Sequence, residues 1–88
     1  MKFKLTATSL INRDNPDDAS IHLRKYIEKI KNADASRDLP EPIFEGHQVY
    51  INLMYGSQFF NLAKVLDREL IIRNENEPII EIHDDWRE

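Results

Sequence analysis

Gln48-Val49-Tyr50-Ile51-Asn52-Leu53, followed after Met54-Tyr55-Gly56 by Ser57-Gln58-Phe59-Phe60-Asn61-Leu62-Ala63-Lys64-Val65-Leu66-Asp67, is the stretch that decides the fold. Val49, Ile51 and Leu53 alternate with Tyr50 and Asn52, the period of a half-buried strand. Phe59, Leu62, Ala63, Leu66 and Leu70 then recur at i, i+3, i+4, i+7 and i+11. That stripe predicts a helix over Ser57–Asp67, with Phe60 and Val65 widening its apolar face and Ser57 as the N-cap. Beyond it, Leu70-Ile71-Ile72 marks a strand over Glu69–Asn74. Asn74-Glu75-Asn76-Glu77 supplies turn residues, and Pro78 opens a last strand to Asp84, where its missing N–H does least harm. The last two strands should form an antiparallel hairpin.

Working outward toward the N-terminus, Lys2 to Leu10 also alternates. Phe3, Leu5 and Ala7 share one face, and Lys2, Lys4, Thr6 and Thr8 share the other, with lysines that discourage edge-to-edge pairing. Asn15 is placed to cap a helix that has Pro16 at its first position and Asp17 and Asp18 near the positive end of its dipole. This helix is expected to reach about Asn32, with Leu23, Tyr26, Ile27 and Ile30 on one stripe. Pro40 and Pro42 exclude a helix from the connector 33–47, in which Ile43-Phe44-Glu45 before Gly46 can form a short strand. The order β-α-β-α-β-β predicts an α+β fold. It would be a two-layer sandwich with two helices on one face of a three- or four-stranded mixed sheet. If the first two strands pair directly, they should be parallel with a right-handed crossover.

The 88 residues suit a single domain over 1–88, because neither half holds enough apolar residues for a core of its own. With 41% hydrophobic and 32% charged residues the composition is that of a globular chain. There is no cysteine, which removes disulfides, a thiol nucleophile and thiolate metal sites. No apolar run approaches the ~20 residues of a membrane span, and Met1-Lys2-Phe3-Lys4-Leu5-Thr6 lacks a signal-peptide core. A cytoplasmic location without membrane attachment is the expectation. The net charge of −4 is uneven: residues 1–33 carry +3, residues 34–73 carry −2 and residues 74–88 carry −5. Internal neutralisation accounts for this asymmetry, and so does an acidic surface offered to a basic partner.

No constellation for chemistry stands out. His22, His47 and His83 fall on a helix start, a loop and a strand end. Neighbouring residues in His83-Asp84-Asp85 point to opposite faces, so no metal or other cofactor is expected. Ser9, Ser20, Ser36 and Ser57 each have a local structural explanation, and no base and orienting group accompany them, so an enzyme is not expected. Tyr55-Gly56-Ser57 before a helix is ordinary capping rather than a phosphate loop.

The C-terminal half, from Tyr50-Ile51-Asn52-Leu53 to Ile79-Ile80-Glu81-Ile82-His83-Asp84-Asp85-Trp86-Arg87-Glu88, resembles small uncharacterised proteins of phages and prophages. These often end in Ile-Glu-Ile-aromatic-Asp-Asp-aromatic, and His83 stands here in place of the first aromatic. The resemblance implies an accessory protein of a mobile element and transfers no functional residue.

The expected function is therefore protein–protein interaction through an acidic C-terminal surface. Its contact residues are Asp84, Asp85, Trp86 and Glu88, with Glu75 and Glu77 at the hairpin turn, and the partner is unidentified. Trp86 serves equally as an anchor in a partner or as a plug for the open end of the core. The alternative is a weak nucleic-acid-binding module using Arg24, Lys25, Lys29 and Lys31, joined by Lys2 and Lys4. The net negative charge argues against it. An exposed edge strand also allows a homodimer.

Overall fold

Alternation of Phe3, Leu5 and Ala7 with Lys2, Lys4 and Thr6 places strand β1 at Lys2–Ala7, and this strand becomes the centre of the sheet. The computed structural model describes residues 1–11, 19–74 and 76–84. After β1 come two short helical turns, α1 (Thr8–Ile11) and α2 (Ala19–His22), then helix α3 (Arg24–Lys31) and a single 3-10 turn at Ala35–Arg37. Strands β2 (Ile43–Glu45) and β3 (Gln48–Asn52) lead into helix α4 (Gly56–Leu66), and β4 (Glu69–Asn74) and β5 (Pro78–His83) complete the described chain. The class is α+β, with a mixed sheet of order β2-β3-β1-β5-β4.

The sheet has five strands rather than three or four because Ile43-Phe44-Glu45 does pair, in register with Tyr50, Val49 and Gln48. Gly46 at φ +63° and His47 close that hairpin, a conformation glycine adopts without Cβ strain. β3 runs antiparallel to β1, not parallel, with Leu5 opposite Val49 and Phe3 opposite Ile51. The parallel neighbour of β1 is β5, with Leu5 opposite Ile80 and Ala7 opposite Ile82. β4 and β5 form the expected antiparallel hairpin.

These registers put Phe3, Leu5, Ala7, Val49, Ile51, Ile80 and Ile82 on one face. They form a single cluster with Leu23, Tyr26, Ile27 and Ile30 of the α3 region and Leu62 and Leu66 of α4. Phe59 packs its ring edge against Phe3 at 5.2 Å and 87° between planes, a pair worth about 1 kcal/mol beyond its buried area. Both principal helices thus cover one face of the sheet and leave the other uncovered by α3 and α4.

Several elements begin or end elsewhere than their local pattern indicates. β1 ends at Ala7 rather than Leu10, because Thr8 Oγ1 donates to Glu81 and Ser9 is held by Asp84, which bend the chain into α1. The long first helix is interrupted at Leu23, although the Leu23 carbonyl still accepts from Tyr26 and Ile27. Asn15 and Pro16 lie outside the described residues. Helix α4 starts at Gly56, so Ser57 lies inside it and is not the cap. Gln58 does the capping, its Oε1 accepting from Met54 N–H (2.6 Å) and Tyr55 N–H (3.1 Å) while its Nε2 donates to the Asp38 carbonyl. Phe60 does not widen the core stripe; it is 62% exposed, with Lys64 Nζ 4.9 Å from its ring centroid.

Candidate functional site

Among the described residues the strand order leaves two outer edges, and they differ. β2 offers three residues, whereas β4 offers Glu69-Leu70-Ile71-Ile72-Arg73-Asn74. Because side chains alternate, Leu70 and Ile72 fall on the helix-covered face, opposite Ile82 and Ile80. Glu69, Ile71 and Arg73 fall on the other face, opposite His83, Glu81 and Ile79. Ile72 is 51% exposed, an apolar β-branched side chain at the rim of the sheet.

Two of the residues named from the sequence as an acidic surface, Glu77 and Asp84, lie among the described residues. Glu77 sits at the β4–β5 turn and Asp84 just past the other end of β5, about 23 Å apart at ~3.3 Å per strand residue. Glu77 Oε1 lies 3.7 Å from Lys4 Nζ. Asp84 is engaged within the chain. Its Oδ1 accepts from Ser9 N–H (2.8 Å), and its Oδ2 accepts from the hydroxyls of Ser9 (2.8 Å) and Tyr26 (2.9 Å). Burial alone would push the Asp84 carboxyl up. The Ser9 and Tyr26 donors, with the Lys25 charge, outweigh it and hold the group below the usual carboxylate range. The Tyr26 phenol is pushed up by burial and by the facing Asp84 carboxylate, against a smaller lowering from Arg68. Asp84 thereby ties β5 to α1 and α3. Glu75, Asp85, Trp86 and Glu88 lie outside the described residues.

The basic residues are exposed but divided. Lys31 Nζ lies over the Phe44 ring at 5.5 Å, on the β2 side of α3, whereas Lys29 Nζ reaches the Leu66 carbonyl at the end of α4. Lys25 Nζ lies 5.0 Å from the Tyr26 ring centroid. Among the described residues, Arg24, Lys25, Lys29 and Lys31 form no ion pair. Lys2 and Lys4 cannot join them in one patch, because they project from the sheet face opposite to the helices.

That open face holds a feature the alternation concealed. Glu81 reads as a solvent-facing position between Ile80 and Ile82, yet it is only 4% exposed. Its Oε2 accepts from Thr8 Oγ1 and its Oε1 from Arg73 Nε, both at 2.8 Å. A cavity of about 560 Å³ lies over it, lined by Lys4, Thr6, Thr8, Ile11, Arg73, Ile79 and Glu81. Lys2 pairs with Glu45 and lies 4.7 Å from the Tyr50 ring centroid. Neither Thr8 nor Ser9 could be matched to its partner from local sequence, since both meet residues more than seventy positions away.

His22, His47 and His83 stand on α2, the β2–β3 turn and β5. Among the described residues no group of three His, Cys, Asp or Glu side chains is placed to hold a metal ion. No described helix is long and apolar enough to cross a membrane. Compared with family models, with curated proteins and with solved structures, the chain matches none.

Proposed function

We propose that this chain is a non-enzymatic binding module that associates with another protein chain through the outer edge of β4. The resemblance of its C-terminal half suggests a phage or prophage accessory role. The observation that carries the proposal is the six-residue edge itself. An outer strand presents unpaired backbone N–H and C=O groups to any strand laid beside it, and side chains on alternate positions select the partner. Ile72 supplies the apolar contact and Glu69 and Arg73 the charge pattern. The C-terminal residues that follow Asp84 in sequence, Asp85, Trp86 and Glu88, serve as a second contact, joined by Glu75 and by Glu77 of the β4–β5 turn.

A second reading rests on a separate observation, the exposed set Arg24, Lys25, Lys29 and Lys31, which forms no ion pair among the described residues. It assigns weak nucleic-acid binding to α3. The two readings part in a pull-down of a tagged chain from a bacterial lysate that also contains an untagged copy, with and without nuclease. The expected result is a protein, host chain or untagged copy, retained after nuclease and lost with Ile72→Lys. Capture that vanishes with nuclease, falls steeply with salt and survives Ile72→Lys would move the function to α3.

A further inference from the structure

We propose that the occupant of the β4 edge is the β4 edge of a second copy, paired antiparallel about a two-fold axis through Ile71. This rests on the edge-binding reading above and names its partner.

Register singles out this pairing. In an antiparallel pair, directly opposed side chains share a face, and a slip of one residue moves every side chain to the other face. Two copies related by a two-fold axis perpendicular to the sheet must therefore be centred on a residue, not between residues. Centring on Ile71 sets Ile71 against Ile71, Leu70 against Ile72, and Glu69 against Arg73. Each of the last two pairs occurs twice. All the apolar residues of the strand then meet apolar residues, and both charges meet their opposites. Every neighbouring register fails. Centring on Leu70 puts Glu69 against Ile71, and centring on Ile72 puts Arg73 against Ile71. Centring on Glu69 or on Arg73 sets like charges face to face. The self-complementary register is thus singled out by charge and by apolar matching together.

The fold supports that register. The Glu69 and Arg73 side chains share the open face of the sheet, and Glu81 holds Arg73 by its Nε, which fixes the guanidinium on that face. Half-exposed Ile72 gains Leu70 of the other copy on the helix side. The product is a continuous sheet with β2 at each outer end, so the long edge is consumed and only the three-residue edges remain.

The chain has no cysteine, so a single introduced thiol reports cleanly. With the axis at Ile71, the two copies of Ile71→Cys bring their Cα atoms to about 5 Å, within disulfide reach. Mild oxidation of this variant is expected to give a species of twice the 10.4 kDa chain mass. It should form about tenfold faster than for Ile43→Cys on the other edge, because pairing raises the effective thiol concentration. A mixture of Leu70→Cys and Ile72→Cys should couple to each other in preference to themselves. Untreated wild-type chain should sediment as a dimer, and Glu69→Arg, an exposed substitution that sets Arg against Arg73, as a monomer. Equal rates for the Ile71→Cys and Ile43→Cys variants, with wild-type sedimenting as a monomer, would overturn self-pairing. If a host protein is still captured in an Ile72-dependent way, edge binding stands and only the identity of the partner changes. If no capture depends on Ile72, both fail.

Discussion

Leu5→Ala is expected to destabilise the protein by about 3 kcal/mol, the middle of the range for a buried leucine truncated in a packed core. Leu5 is 1% exposed on the central strand, opposite Val49 on one side and Ile80 on the other. Nothing nearby can collapse into the gap without disturbing two strand pairings. A chain of 88 residues has a total stability on the order of 4–13 kcal/mol, so the loss is a large fraction of the whole. In a thermal melt followed by circular dichroism, the midpoint should fall by roughly 12–24 °C. A fall of only a few degrees would mean that β1 is not the centre of the core.

Asp84→Ala is expected to cost about 2 kcal/mol near neutral pH, from the lost acceptor of three hydrogen bonds, of which the two to Ser9 are partly open to solvent. The cost should depend on pH in a defined direction. The folded state holds the Asp84 carboxyl below its usual range, so its contribution is present above the unfolded value of about 3.9 and is lost as pH falls through the folded pKa. Urea unfolding of wild-type and Asp84→Ala should therefore differ most at neutral pH and converge on acidification. Tyr26→Phe should cost about 1 kcal/mol in the wild-type background and much less beside Asp84→Ala, the signature of coupled partners. A gap between wild-type and Asp84→Ala that widens on acidification, or additive losses, would show that the carboxylate does not act as the tie between β5, α1 and α3.

Both experiments bear on what the sequence could reveal. The buried sets Phe3, Leu5, Ala7 and Leu62, Leu66 were legible because burial imposes a period, of two in a strand and near 3.6 in a helix. The β4–β5 hairpin was legible because a turn is a local event. The β1–β5 pairing was not, since it joins residues seventy-five positions apart, such as Lys4 and Ile79 or Leu5 and Ile80, and no local pattern encodes the choice of neighbour. Ile43-Phe44-Glu45 is too short to show a period, so the fifth strand was only hinted at, and the β1–β3 pair, expected to be parallel, is antiparallel. Asp84 read as a free acidic contact because its neighbour in sequence is Asp85. Its neighbours in space, Ser9 and Tyr26, come from other elements. Glu81 followed the alternation and faces away from the helices, yet Thr8 and Arg73 enclose it. Of the acidic surface inferred from sequence, the two described residues, Asp84 and Glu77, are a tie within the fold and a turn-end ion pair, and the β4 edge emerged only once the strand order was known.

Amide hydrogen exchange in β4, measured at low and high protein concentration for wild-type and Ile72→Lys, tests the edge most directly. Pairing protects backbone N–H groups at the outer edge, and exchange reports such opening residue by residue. Protection across residues 69–74 should rise with concentration in the wild-type chain and not in Ile72→Lys, while residues 43–45 at the opposite edge stay unchanged. Exchange in β4 that is the same at every concentration and in both chains would contradict the proposal that this edge is paired with a second copy.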